Sequence, residues 1–202
     1  SDYVIDRIKN MENVTYLYTD ISDVFLDEAK KRYDGLDFVD YGIFDINLHP
    51  EVQGMPLHSF DLIIGANVLH DAQNIYNTVD ELHLLLAKNG KLMLVEATIN
   101  TATQMITAGF SEGLTSYSDD RVETDLPAYS EEQWKNSIIK NNYSVPLMYP
   151  YDAKVREKLQ TVLLLAQSKE ITSEIDQEEV ISQLKTKLPE YMLPRFIIEM
   201  QK

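Results

Sequence analysis

Three observations predict an α/β fold built on a mostly parallel sheet. Short β-rich runs alternate with helical stretches, the runs are near-continuously apolar, and polar residues stand at their carboxyl ends. Residues 14–19, β-branched and aromatic, form a strand that stops at Asp20. Residues 23–34 follow as a helix with Asp23 as its cap and Phe25, Leu26, Ala29 and Tyr33 near helical spacing. Residues 38–44 make a second strand, closing at Asp45. After a loop marked by Pro50, Gly54 and Pro56, residues 60–66 read as a buried strand. Residues 74–87 are a helix with Ile75, Val79, Leu82 and Leu86 on one stripe, ended by Asn89-Gly90. Residues 91–96 are the next strand, which completes a β-α-β-β-α-β order. Residues 100–115 read as a helix. Residues 116–128 read as a solvated loop, because six Asp/Glu stand against one Arg between Asp119 and Glu132. Ser130-Glu131-Glu132-Gln133 starts a capped helix through Lys140. Residues 145–149 and 160–168 are two final strands, antiparallel at the sheet edge.

Composition limits the function classes. A chain of 202 residues, 44% hydrophobic and 25% charged, is one domain or one domain plus a small piece of another. Lys+Arg 18 against Asp+Glu 33 leaves a net charge of −15, which repels phosphate backbones and anionic lipid; neither nucleic acid nor membrane is expected as a partner. With no cysteine there is no disulfide framework, thiolate zinc site or cysteine nucleophile. The histidines are too scattered for a metal site by spacing. No apolar run approaches the roughly 18 residues of a membrane span, and residues 1–6 lack the pattern of a signal peptide. A cytoplasmic location is the expectation.

Ligands of open parallel sheets bind outside the carboxyl ends of the strands. Asp20 follows the first strand, Asp45 the second, and Asn67 to His70 the third. Carboxylates in such places accept hydrogen bonds from ribose hydroxyls or an adenine amino group. Each also has an ordinary reading as a turn or cap residue. His70 lies just past a strand, and Glu96 ends a strand 26 residues later. If the two strands are neighbours, the carboxylate fixes the imidazole tautomer and raises its basicity, as a general base requires. The alternatives are a histidine bonded to local backbone, or one partnered by Asp71 alone. His49, His58 and His83 lack such context and read as structural or exposed. The templates G-x-x-x-x-G-K-[ST], H-E-x-x-H, G-x-S-x-G and G-x-G-x-x-G are all missing from the sequence.

Thr19-Asp20-Ile21-Ser22, Phe44-Asp45-Ile46, residues 60–70 and Leu94-Val95-Glu96-Ala97-Thr98, in that order, resemble the methyltransferase domains embedded in nonribosomal peptide and polyketide synthetases. The resemblance covers residues 14–168. It implies a Rossmann-like class I methyltransferase sheet dependent on S-adenosylmethionine. Residues 104–113 look most like domains of siderophore synthetases that handle thiazoline rings. By resemblance, Asp20 binds the cofactor ribose, Ile21 packs on the adenine, Asp45 with Ile46 holds its other edge, and Asn67 lies near the methionine part. His70 and Glu96 match the His–Glu dyad of carbon-methylating domains, in which the histidine deprotonates an acidic carbon. The family's glycine-rich motif, on a strand before these, is expected to precede residue 1, so the domain is expected to be N-terminally truncated, without its first strand.

The texture changes to a polar linker at Lys169, followed by a helix around 177–187. Leu188-Pro189-Glu190-Tyr191-Met192-Leu193-Pro194 resembles a core motif of the small C-terminal subdomain of adenylation enzymes. The implied organisation is a methyltransferase-like domain over 1–168, with a linker and the start of an adenylation subdomain over 169–202. The implied partners are a peptidyl carrier protein domain and an adenylation domain of the same megasynthase, and the implied substrate is a carrier-tethered acyl or peptidyl group. A methyltransferase-like epimerase, a catalytically inert structural insertion and a free small-molecule methyltransferase are the rival readings.

Overall fold

The computed structural model describes residues 1–102, 117–124 and 126–169, with Ile106, Ile181, Leu184, Lys185 and Met192 as isolated positions. Ser1–Lys169 forms one compact unit and Glu170–Lys202 a second. Nearly all of the motif at 188–194 and of residues 104–113, and most of the expected helix over 100–115, lie outside the described residues.

In chain order the first unit holds α1 (Asp2–Ile8), β1 (Tyr16–Asp20), α2 (Asp23–Arg32), β2 (Val39–Ile43), a 3-10 turn at Pro50–Gln53, β3 (Phe60–Ala66), a second 3-10 turn at Leu69–Asp71, and α3 (Ile75–Leu85). Then come β4 (Leu86–Ala97), α4 (Arg121–Thr124), α5 (Glu131–Lys140), β5 (Leu147–Tyr149), α6 (Ala153–Leu159) and β6 (Thr161–Gln167). Local chemistry sets several of these boundaries. Ser130 and Gln133 form a reciprocal capping box at the start of α5, and Asn74 accepts from the Asn77 amide at the start of α3. At α2 the N-cap is Ser22 rather than Asp23; its amide is held by Asp20 Oδ1 at 2.9 Å, so the strand-end carboxylate also shapes the turn.

Among the described residues the expected single sheet is two sheets. β1 pairs in parallel with β2, and a four-stranded sheet runs in the order β3-β4-β6-β5, parallel between β3 and β4 and antiparallel elsewhere. Among the described residues β3 is therefore an edge strand, not a buried one, and Leu62 on it is 43% exposed. An apolar run reports β-propensity and burial of some face; it does not say how many neighbours the strand has. Each sheet has its own core. Leu69, Ile75, Val79, Leu92, Leu94 and Trp134 belong to the larger, under α3 and α5; Ile5, Ala29 and Tyr33 form the smaller, against β1 and β2.

The α3–β4 junction also differs from expectation. The helix ends at Leu85, and Leu86 already pairs with Phe60. Residues 87–90 bulge out before pairing resumes at Leu62–Lys91, so Asn89-Gly90 marks an irregularity inside a strand instead of a helix end. Asn89 has φ 62°, and a Cβ on Gly90 would lie 2.9 Å from the carbonyl oxygens of both Ala87 and Phe60. Only glycine fits there.

Candidate active site

β3 and β4 are parallel neighbours, so their carboxyl ends lie side by side: Ala66 pairs with Val95, and the Asn67 amide donates to the Val95 carbonyl at 2.8 Å. Asn67 adopts a left-handed conformation, φ 51°, which turns the chain out of the sheet into the Leu69–Asp71 turn. That turn carries His70 back over the end of β4. His70 Nδ1 lies 2.9 Å from Glu96 Oε2, while Glu96 Oε1 accepts from the amides of Val68 at 3.0 Å and Leu69 at 2.9 Å. The Glu96 side chain is fully buried and that of His70 is 24% exposed. With its other oxygen already accepting two N–H groups, Glu96 acts as a carboxylate acceptor, which places the imidazole proton on Nδ1 and leaves the Nε2 lone pair free. The hydrogen bond to Glu96 is the main cause that raises the His70 pKa above its ordinary value; the charges of Glu96 and Asp71 add to it, against burial and the Arg121 charge. Asp71 is secondary, with Oδ1 at 3.7 Å from Nε2. The pairing of His70 with a strand-end carboxylate is formed, and the alternative of Asp71 as sole partner is not.

The acidic stretch after residue 116 is not simply a solvated loop. Arg121 is 1% exposed, forked onto Asp119 by Nε–Oδ1 and Nη2–Oδ2 contacts of 2.8 Å. Its guanidinium also donates to the carbonyls of His70 at 2.7 Å and Ala72 at 2.5 Å, and it lies over the Tyr117 ring at 4.1 Å. Neither residue was singled out from the sequence: the net acidity of the run hid one buried Arg–Asp pair. The one arginine in a run of carboxylates, flanked by aromatics, was the available signal.

The other expected residues sit on the smaller sheet and its exit. Phe44 donates to the Asp20 carbonyl at 3.1 Å, so Asp20 and Asp45 end adjacent strands. Each carboxylate uses Oδ1 to accept an amide two residues on, from Ser22 and Asn47, both at 2.9 Å. Gln53 clasps Asp45 by taking its amide and donating to its carbonyl. Ile21 is 65% exposed, and Ile46 packs partly buried against the larger core. Among the contacts that tie this side to the dyad side are Gln73 N to Asn47 Oδ1 at 2.7 Å, Thr78 Oγ1 to the Ile46 carbonyl at 3.1 Å, and His49 Nε2 to Glu81 Oε2 at 3.6 Å. His83 is buried and bonded to the Lys169 carbonyl, and His49 caps the Pro50–Gln53 turn.

Residues 3–92 match the sequence model of a family described as methyltransferase domain. The chain is 33% identical over 132 residues to the highly reducing polyketide synthase lcsB of Purpureocillium lilacinum, covering 65% of this chain and 5% of that protein. It is 34% identical over 131 residues to the lovastatin diketide synthase mokB of Monascus pilosus, 64% of this chain and 5% of that protein. The chain thus spans about one-twentieth of the length of these curated relatives. Among solved structures, the CurJ carbon methyltransferase superposes with a TM-score of 0.78 at 29% identity, over 84% of this chain and 45% of that one. The chain is thus similar to polyketide synthases and to a carbon methyltransferase, and its fold is α/β Rossmann-like; the cofactor implied by the sequence resemblance is S-adenosylmethionine.

The residues present fit the nucleoside part of that cofactor. Two carboxylates on adjacent strand ends each commit one oxygen to a local turn and keep a second for hydroxyl or amino donors, and an exposed isoleucine stands beside one of them.

Proposed function

We propose that this domain transfers a methyl group to the α-carbon of a carrier-protein-tethered acyl intermediate, with His70 as general base and Glu96 as its orienting carboxylate. The observation that carries the reading is the buried Glu96 carboxylate holding His70 Nδ1 at 2.9 Å. A nitrogen or oxygen acceptor brings its own lone pair and needs little help. A carbon acceptor must first lose a proton, and an α-carbon beside a thioester carbonyl is acidic enough for an oriented imidazole to remove it. His70 Nε2 takes that proton; the C–H electron pair remains on the substrate as an enolate, and Glu96 stabilises the imidazolium. Bound S-adenosylmethionine supplies an electrophilic methyl group. In this reading Asp20 holds the ribose, Ile21 packs on the adenine, Asp45 with Ile46 holds its other edge, and Asn67 lies beside the methionine part.

The relatives support a polyketide-synthase setting, in which the partner is an acyl carrier domain of the same megasynthase. A nonribosomal peptide synthetase, with a peptidyl carrier and an adenylation domain as neighbours and a siderophore as product, is the second reading; the motif at 188–194 favours it. The epimerase alternative uses the same proton abstraction without a methyl donor. Incubating the full-length parent with a carrier-bound β-ketoacyl thioester and S-adenosylmethionine separates them. A gain of one methyl at the α-carbon is expected. With an α-substituted thioester in its place, inversion without mass gain would identify an epimerase; neither change on either substrate would leave the inert insertion.

A further inference from the structure

The segment between the dyad histidine and α3 is bound almost residue by residue to a strap that begins at Tyr117. The Ser118 amide donates to the Gln73 carbonyl at 2.8 Å, and Asn74 Nδ2 donates back to the Ser118 carbonyl at 3.3 Å. Asp119 Oδ2 accepts the first amide of α3, that of Ile75, at 2.9 Å. Arg121 closes the strap by donating to the carbonyls of His70 and Ala72. The 3-10 turn at Leu69–Asp71 has only three residues and no side-chain cap of its own, so little within the turn fixes the direction of the imidazole. The strap supplies what the turn lacks.

We propose that Arg121, held by Asp119, is a positioning residue that fixes the backbone of His70 so that its ring stays against Glu96. Arginine suits the task because one planar fork serves the Asp119 carboxylate while the guanidinium also reaches the carbonyls of His70, Ala72 and, at 3.4 Å, Pro127; a lysine at this position keeps the charge and loses the fork. A shift of about 1 Å in a reacting group is enough to cost up to 10²-fold in rate, so clamping the turn bears directly on proton abstraction. The proposal rests on His70 being the base, but its consequence is visible without substrate. Glu96 from β4, Asp71 from the turn itself and Arg121 from α4 are the charged groups that face the imidazole. Arg121→Lys retains the last of these charges, so any change in His70 titration reports geometry and not lost charge.

The test is NMR titration of the imidazole nitrogens of the 202-residue chain, which has four histidines. In Arg121→Lys the His70 midpoint is expected to fall toward the ordinary imidazole value of ~6.5, and the low-field Nδ1 proton shared with Glu96 to be lost. Asp119→Glu, which keeps the charge but displaces the fork, is expected to move the midpoint the same way by less, and it decides the matter if the lysine variant does not fold. Arg156→Lys is the matched control: Arg156 is also buried, forked onto Glu131 and bonded to the carbonyls of Pro150 and Tyr151. It should leave His70 unchanged. An unmoved His70 midpoint in folded Arg121→Lys and Asp119→Glu overturns the proposal, and so does an equal shift in Arg156→Lys. Because no substrate is present, either result stands apart from whether the domain methylates carbon.

Discussion

At the end of β4, Glu96 is fully buried and receives three N–H groups, whereas at the end of β1 the partly exposed Asp20 receives a single amide among the described residues. The difference runs through both halves of the first unit. The four-stranded half encloses the dyad with a core that includes Trp134, Leu94 and Ile75, and braces its histidine with a second buried ion pair. The two-stranded half has a core of three buried residues and leaves Ile21 and Ile43 largely exposed. Proton abstraction needs groups fixed before the substrate arrives. Holding a nucleoside needs acceptors with unused capacity beside open apolar surface. Each half is ordered to the degree its proposed task demands.

The largest expected effect breaks the comparison chemically. Glu96→Gln puts an amide donor where the imidazole N–H needs an acceptor; the exchange of the substrate α-proton should slow by roughly 10²–10⁴-fold, read by mass spectrometry in deuterated solvent. The next is a contrast in stability. Trp134→Ala should cost about 3–5 kcal/mol by urea denaturation, since it empties the larger core. Ile5→Ala should chiefly speed amide exchange in β1 and β2 while β4 and β6 stay protected, because the two cores are separate. A uniform loss of protection in both sheets would show that the halves open together.

Asp20→Asn sharpens the comparison from the other side. In the full-length parent it should weaken S-adenosylmethionine binding by about 1–3 kcal/mol in calorimetry, while Glu96→Gln leaves that affinity unchanged. The smallest effect is linkage. The His70 pKa is raised in the folded protein, chiefly by the Glu96 hydrogen bond. Its contribution to stability is therefore complete below the ordinary imidazole pKa of ~6.5 and fades as pH rises through the folded value. His70→Gln should cost more stability at about pH 5.5 than at about pH 9; an equal cost at both would place the Glu96 bond outside the balance.

How much of this was readable beforehand depends on the range of the physics involved. Strand identity and the polar ends at Asp20, Asp45 and Glu96 follow from local apolar runs and the residues that stop them. The meeting of His70 with Glu96 required only that two successive parallel strands be neighbours, which is the usual outcome. The capping box at Ser130 is wholly local and was visible. The division into two sheets was not, because periodicity says that residues 60–66 form a strand but not what lies on each side of it. The bulge at Asn89-Gly90 mimics a helix stop, and its true role depends on Phe60 across the sheet. Arg121 was missed for a similar reason. Its partners, His70 and Ala72, lie about fifty residues upstream, and a charge count sees only the excess of carboxylates around it.

The measurement that bears most directly on the account is α-proton exchange on a carrier-bound β-ketoacyl thioester in deuterated water, without S-adenosylmethionine, comparing the full-length parent with its His70→Ala variant. The account predicts that the parent washes deuterium into the α-position and that the variant falls to the rate of the carrier-bound substrate alone. Exchange at the parental rate in a folded His70→Ala protein would contradict it, and would make the His70–Glu96 pair a structural contact.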